Sequence, residues 1–224
     1  MTTATLSFPT ASQARIPMWL KLVYTAFMAV LVPVYWHDYG PTNFLYFCDM
    51  CLFMTLAGMW LENALLVSIP TVGILLPQVV WVADFAGHLV GLSLVGMTDY
   101  MFDAGHSLFL RGLSLFHGWL PFLLVYLVYR LGYHPKALPY WCSLAWALML
   151  LCYFVMPKPG DPLPTPLTPV NINYVYGPSE TKAQTWMPEP AWFALLMIGL
   201  PVLVWWPTHL MLRKWFGRAP GPAR

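Results

Sequence analysis

The sequence predicts an all-α, polytopic integral-membrane bundle of about six transmembrane helices, and three observations carry that prediction. The 224-residue chain is 59% hydrophobic and only 9% charged. Its apolar residues fall into roughly six stretches, each near the ~20 residues that cross a hydrocarbon core. Almost every ionisable residue stands at the ends of those stretches. In lipid, only helices or closed barrels can satisfy the backbone.

The first stretch, residues 17–36, stops at the turn-rich run His37, Asp38, Tyr39, Gly40, Pro41. The second, residues 43–61, is closed by Glu62 and Asn63. The third, residues 64–84, contains Pro70 and Pro77, which predict a kink or break. From 85 to 110 the apolar pattern weakens around His88, Asp99, Asp103 and His106. That region reads as broken or interfacial, with a seventh span as the alternative. Residues 112–129, 138–156 and 192–212 complete the set.

Domain organisation follows: residues 1–16 as a cytoplasmic segment, 17–212 as the transmembrane domain and 213–224 as a basic cytoplasmic tail. With both termini inside, eight Lys and Arg lie on the cytoplasmic side and only Arg111, Lys158 and Lys182 outside, as the positive-inside rule expects. Residues 1–15 have no basic start and no small-residue cleavage site, so the first span is expected to be retained. If bacterial, the chain would sit in the plasma or inner membrane. The net charge of +2 is scattered, which argues against nucleic acid and leaves membrane lipids as the expected partners. The Trp residues at 19, 36, 141, 186, 192, 205 and 206 are expected to mark interfacial belts.

Residues 157–190 carry nine prolines in 34 positions, so regular structure is not expected there. The centre of this loop, Val170 to Gly177, is aromatic and amide-rich rather than linker-like. It is expected to pack over the bundle as a lid.

In this topology four segments deliver polar groups to one level of the membrane: Asn43, Tyr46 and Asp49; Asp84; His117; and Asn171, Asn173 and Tyr174 in the lid. At about 100° per residue, Asn43, Tyr46 and Asp49 would share one helical face, with Cys48, Cys51 and Thr55 opposite. A carboxylate at that depth costs about 2.5 kcal/mol or more if unpaired. His117 is the expected partner, with Asp49 or Asp84 fixing its tautomer; the competing reading is a structural pair locking two spans. Asp99, Asp103 and His106 have helical spacing for a metal site, but a solvated face explains them better, and no metal or cofactor is expected. Cys48 and Cys51 form a Cys-x-x-Cys, which raises a quinone-linked thiol oxidoreductase. Packing cysteines account for it better, because the outer loops hold no second pair.

Two motifs carry a family resemblance. Residues 40–52, above all Phe44-Leu45-Tyr46-Phe47-Cys48-Asp49, resemble the second span of the androgen-induced-gene and androgen-dependent-regulator group of six-pass lipid hydrolases. His117-Gly118-Trp119-Leu120-Pro121-Phe122 resembles that family's later His followed by Leu-Pro-Phe. The Asn-Tyr-x-Tyr loop before an aromatic last span is similar to YwaF-type proteins and a related transmembrane acyltransferase. The resemblance implies a serine-independent lipid ester hydrolase or acyltransferase, with a Thr or Cys nucleophile on the second span and His117 as base. Tyr46 stands where the Thr would be, and tyrosine is a poor acyl nucleophile. Cys48 is the nearest substitute. Three readings stay open: a kinked span presenting Cys48, a water activated by His117 and Asp49, or lost hydrolysis. Asn43 and Asn173 are candidate oxyanion donors. The alternative from another class is a non-catalytic binder of lipid or other hydrophobic ligand, or an accessory subunit.

Overall fold

The computed structural model describes residues 15–92, 94–179 and 181–217. The expected tail residues 218–224 and most of the expected N-terminal segment lie outside them. The fold is an all-helical bundle: α1 (Met18–Asp38), α2 (Phe47–Leu61), α3 (Ala64–Leu89), α4 (Leu108–Leu131), α5 (Ala137–Val155) and α6 (Glu189–Phe216). Among the described residues there is no strand. Five of the six helices are long and apolar enough to cross a membrane. The exception is α2, whose 15 residues span about 22 Å, short of a ~30 Å hydrocarbon core. A 3-10 turn, Pro41–Leu45, precedes it and lengthens the segment.

The central helix is α3, packed against α2, α4 and α5. Its apolar window is 61% buried, against 22–33% for the other four long helices. The expected break at Pro70 and Pro77 does not occur, and α3 runs unbroken for 26 residues. Neighbouring helices hold such a segment in line even where proline removes a ladder bond. Close approach is built in at Gly73, which packs against the Trp141 indole with no room for a methyl group.

Helix α6 is irregular where the sequence places Pro201. Residues Leu200–Trp205 form a π turn, the usual response to an interrupted ladder. The Met197 carbonyl, which Pro201 cannot satisfy, accepts from Trp146 Nε1 at 2.9 Å. The interfacial-belt expectation fails for two tryptophans. Trp141 and Trp205 are fully buried and meet edge to face, both packed on Phe47. Trp19, Trp36, Trp186 and Trp206 are exposed as expected.

Three sets of contacts place the start of α1 and the end of α6 at the same end of the bundle. Lys21 Nζ lies 2.8 Å from Glu62 Oε1, joining the start of α1 to the end of α2. The His134 amide donates to Ser68 Oγ at 2.9 Å, and the Tyr133 amide donates to the Phe216 carbonyl at 3.0 Å. Burial works against the charge of Glu62, but hydrogen bonds from Lys21, Arg15 and Ile16 outweigh it and hold the carboxyl below its usual range. The opposite end carries the two long connections. The described residues of 90–107 form turns and one short 3-10 element, Asp99–Met101, with no helix long enough for a seventh span among them. The proline-rich segment packs back on the bundle around its own buried cluster of Ile172, Val175 and Tyr176.

Candidate functional site

The site begins at the N-terminus of α2. Gly40, at φ 83°, turns the chain out of α1 into the 3-10 turn. Tyr46 is extended (φ −60°, ψ 140°), so α2 starts afresh at Phe47. Asn43, Tyr46 and Asp49 therefore do not share one helical face. Asn43 still reaches Asp49, because the turn folds back: its Nδ2 donates to Oδ2 at 3.0 Å. Cys48, expected on the face opposite Asn43 and Asp49, lines the same cavity as both.

A helix N-terminus leaves its first amides without intrahelical acceptors. The Phe47 amide is taken by Asn173 Oδ1 at 2.9 Å, and Asn173 Nδ2 returns a bond to the Leu45 carbonyl at 2.9 Å. Asn173 sits at φ 57° to do this, a conformation asparagine tolerates better than most residues. Its amide is therefore a cap and not an oxyanion donor, which corrects the sequence expectation. The amides of Cys48 and Asp49 find no oxygen acceptor among the described residues. They lie beside the Cys48 sulfur.

His117 comes from α4, just after that helix tightens at Leu115. Its Nδ1 lies 2.8 Å from the Ser114 carbonyl, an acceptor-only group, so Nδ1 carries the proton and the lone pair is on Nε2. Trp81 stacks on the ring with centroids 5.0 Å apart. Neither Asp49 nor Asp84 makes an ion pair or hydrogen bond with His117 among the described residues. The expected carboxylate partner is replaced by a backbone carbonyl.

Around these groups lies a cavity of about 660 Å³, large enough for a drug-sized or lipid-like ligand. Cys48, Asp49 and His117 line it, as do Asn43, Tyr46, Asn173 and Tyr174. Residues from the start of α2, the middle of α3, the bend of α4, the π turn of α6 and the lid all contribute. The lid expectation thus matches the geometry, with lid residues from Gly160 to Thr181 forming part of the wall.

Two other expected site residues lie elsewhere. Asp84 is fully buried and accepts from the amides of Leu94, Val95, Gly96 and Thr98 and from the Thr98 hydroxyl. It ties down residues 94–98 and is not among the residues that line this cavity. Asn171 organises the lid from within: its Nδ2 donates to the Gly177 and Ser179 carbonyls, and its Oδ1 accepts from the Tyr176 amide. Asp99 and Asp103 do not converge on a metal position; they pair separately with His88 at 3.3 Å and His106 at 3.5 Å. Among the described residues no His, Cys, Asp and Glu group could hold a metal ion.

Gln78, Trp81 and Ser114 went unnoticed in the sequence. Gln78 and Trp81 stand on the cavity face of α3, one turn apart. A lone amide inside an apolar span was a usable signal for Gln78, since such groups are costly in lipid. No family model, curated protein or solved structure matches the chain.

Proposed function

We propose that the protein is a membrane-embedded acyl-transferring enzyme, a lipid ester hydrolase or acyltransferase, with Cys48 as nucleophile and His117 as general base. One observation carries the reading. A thiol in the first turn of α2, beside the Cys48 and Asp49 amides, and an imidazole with its Nε2 lone pair available line the same lidded cavity. The likeness of residues 44–49 and 117–122 to six-pass lipid hydrolases supports it independently.

In this mechanism the Cys48 sulfur adds to the ester carbonyl carbon as its proton passes to Nε2 of His117. The Cys48 and Asp49 amides hold the oxyanion at the positive end of α2. The C–O bond then breaks, and His117 returns the proton to the leaving alcohol. Water opens the thioester to release a fatty acid, or a second lipid alcohol opens it to form a new ester; in both cases His117 passes that proton back to sulfur. Positive-inside charge counting puts the chain ends in the cytoplasm and the cavity in the outer half of a plasma or inner membrane.

A thiol redox role is disfavoured because Cys51 is fully buried and out of reach of a soluble partner. A non-catalytic lipid binder is favoured by one feature, the cavity size, and the same test decides. Purified protein is incubated with a long-chain acyl probe carrying a thiol-reactive carbonyl. Labelling is expected at Cys48, absent in Cys48→Ala, kept in Cys51→Ala, and slowed roughly 10²-fold or more in His117→Gln. Labelling indifferent to Cys48 or to His117 removes the enzyme reading and leaves the binder.

A further inference from the structure

The cavity wall carries buried polar atoms that the acyl chemistry does not use. Asp49 and Gln78 are each 3% exposed, and Asp49 Oδ1 and Gln78 Oε1 have no hydrogen-bond partner. Both are acceptors, and both residues line the cavity, from α2 and α3 respectively. Pro77, also in the wall, has no N–H to give the Gly73 carbonyl. Trp81 Nε1 is an unpartnered donor in the same wall, so the ligand-facing acceptors that stand out are the side-chain oxygens of Asp49 and Gln78. Buried polar atoms without partners are uncommon, and each calls for an explanation.

The remaining wall sharpens the ligand's chemistry. Aromatic rings enter from every side, among them Tyr35, Tyr46, Trp81 and Tyr174. The charged side chains of the wall are Asp49 and Asp161, both acidic, and no Lys or Arg among the described residues lines it. Aromatic faces with a carboxylate and no competing cation are the recognition chemistry of organic ammonium groups. The same surroundings offer a fatty-acid carboxylate or other anion no side-chain counter-charge.

We infer that the cavity selects amphiphiles bearing a protonated or quaternary amine, seated against Asp49 and Gln78 with the apolar chain toward α6. The inference rests on the reading of this cavity as the ligand site, but not on the reactivity of Cys48. It gives Asp49 a positioning role in place of the expected contact with His117.

The test uses the full chain carrying Cys48→Ala in a nonionic detergent, so that binding is read without chemistry. Dodecylamine, dodecyltrimethylammonium, dodecanol and dodecanoate are titrated against Trp fluorescence and thermal stability. The two cations are expected to bind about tenfold tighter than the alcohol, the scale of one desolvated cation–aromatic contact, the only one of these interactions that the quaternary probe shares with dodecylamine. Dodecanoate is expected to bind weakest. Asp49→Asn, which keeps an acceptor for Asn43, should erase the preference for amines while leaving the alcohol unchanged. Equal binding of all four probes, tighter binding of the carboxylate, or a preference for amines that survives Asp49→Asn overturns the inference. Its failure leaves Cys48 labelling untouched, and a failure of labelling leaves amine selectivity untouched.

Discussion

Asp84 and Asp49 are both carboxylates fully or almost fully buried in the half of the bundle that carries the lid, yet they have opposite surroundings. Asp84 accepts four amides and a hydroxyl, at distances from 2.7 to 3.2 Å. Asp49 has one donor and one oxygen left over. A carboxylate saturated by backbone donors has no capacity for a substrate, whereas one with a vacant lone pair in a cavity wall does. Asp84→Ala strands buried amides, each costing about 1–3 kcal/mol. The expected result is a clear fall in the thermal midpoint of the purified protein, with Cys48 labelling unchanged at temperatures where the variant stays folded. A labelling rate that falls with no loss of stability would return Asp84 to the reaction. The sequence singled out both residues, because polar groups inside apolar stretches are conspicuous. It could not tell them apart: the partners of Asp84 are main-chain amides of residues 94–98, and backbone donors leave no trace in residue identity.

At the scale of elements, the site depends on where α2 begins. The sequence locates the second span to within four residues, but reads it as one helix from Asn43. The extended Tyr46 interrupts that helix, and Phe47 restarts it. Face counting across the interruption set Cys48 opposite Asn43, whereas both line one cavity. The signal for the break is modest, a Gly-Pro pair followed by aromatics, and the deciding contact is 126 residues away: Asn173 capping Phe47. That cap also fastens the lid, so one side chain couples the lid to the helix that carries Cys48. Asn173→Ala removes an N-cap worth about 0.5–2 kcal/mol and puts alanine at a left-handed position. Asn173→Gly relieves the backbone while still deleting the cap. Both variants are expected to speed amide hydrogen exchange across the lid and in the first turn of α2. In the glycine variant, bulky acyl probes should reach Cys48 faster. Exchange confined to the lid, with α2 unaffected, would show that the two elements are not coupled through Asn173.

For the molecule as a whole, the helix count among the described residues and the placement of the lid opposite the start of α1 and the end of α6 were legible, since each follows from stretch length and charge position. The central place of α3 was not, because Pro70 and Pro77 argue locally for a break that its neighbours override. One geometric consequence is directly testable. Lys21, Glu62, Ser68 and His134 mark one end of the bundle, and the lid with its Lys158–Glu189 pair marks the other. If the basic end is cytoplasmic, Lys182→Cys and Lys214→Cys must report opposite faces. All four native cysteines lie within helices, so a membrane-impermeant maleimide should leave the parent chain nearly unlabelled in intact cells. Lys182→Cys is expected to label in intact cells, and Lys214→Cys only after permeabilisation. Reversal of both signals would invert the orientation and move the cavity to the cytoplasmic leaflet, with the site itself unchanged. Labelling of both from one side would be incompatible with the single crossing that α6 makes between those positions.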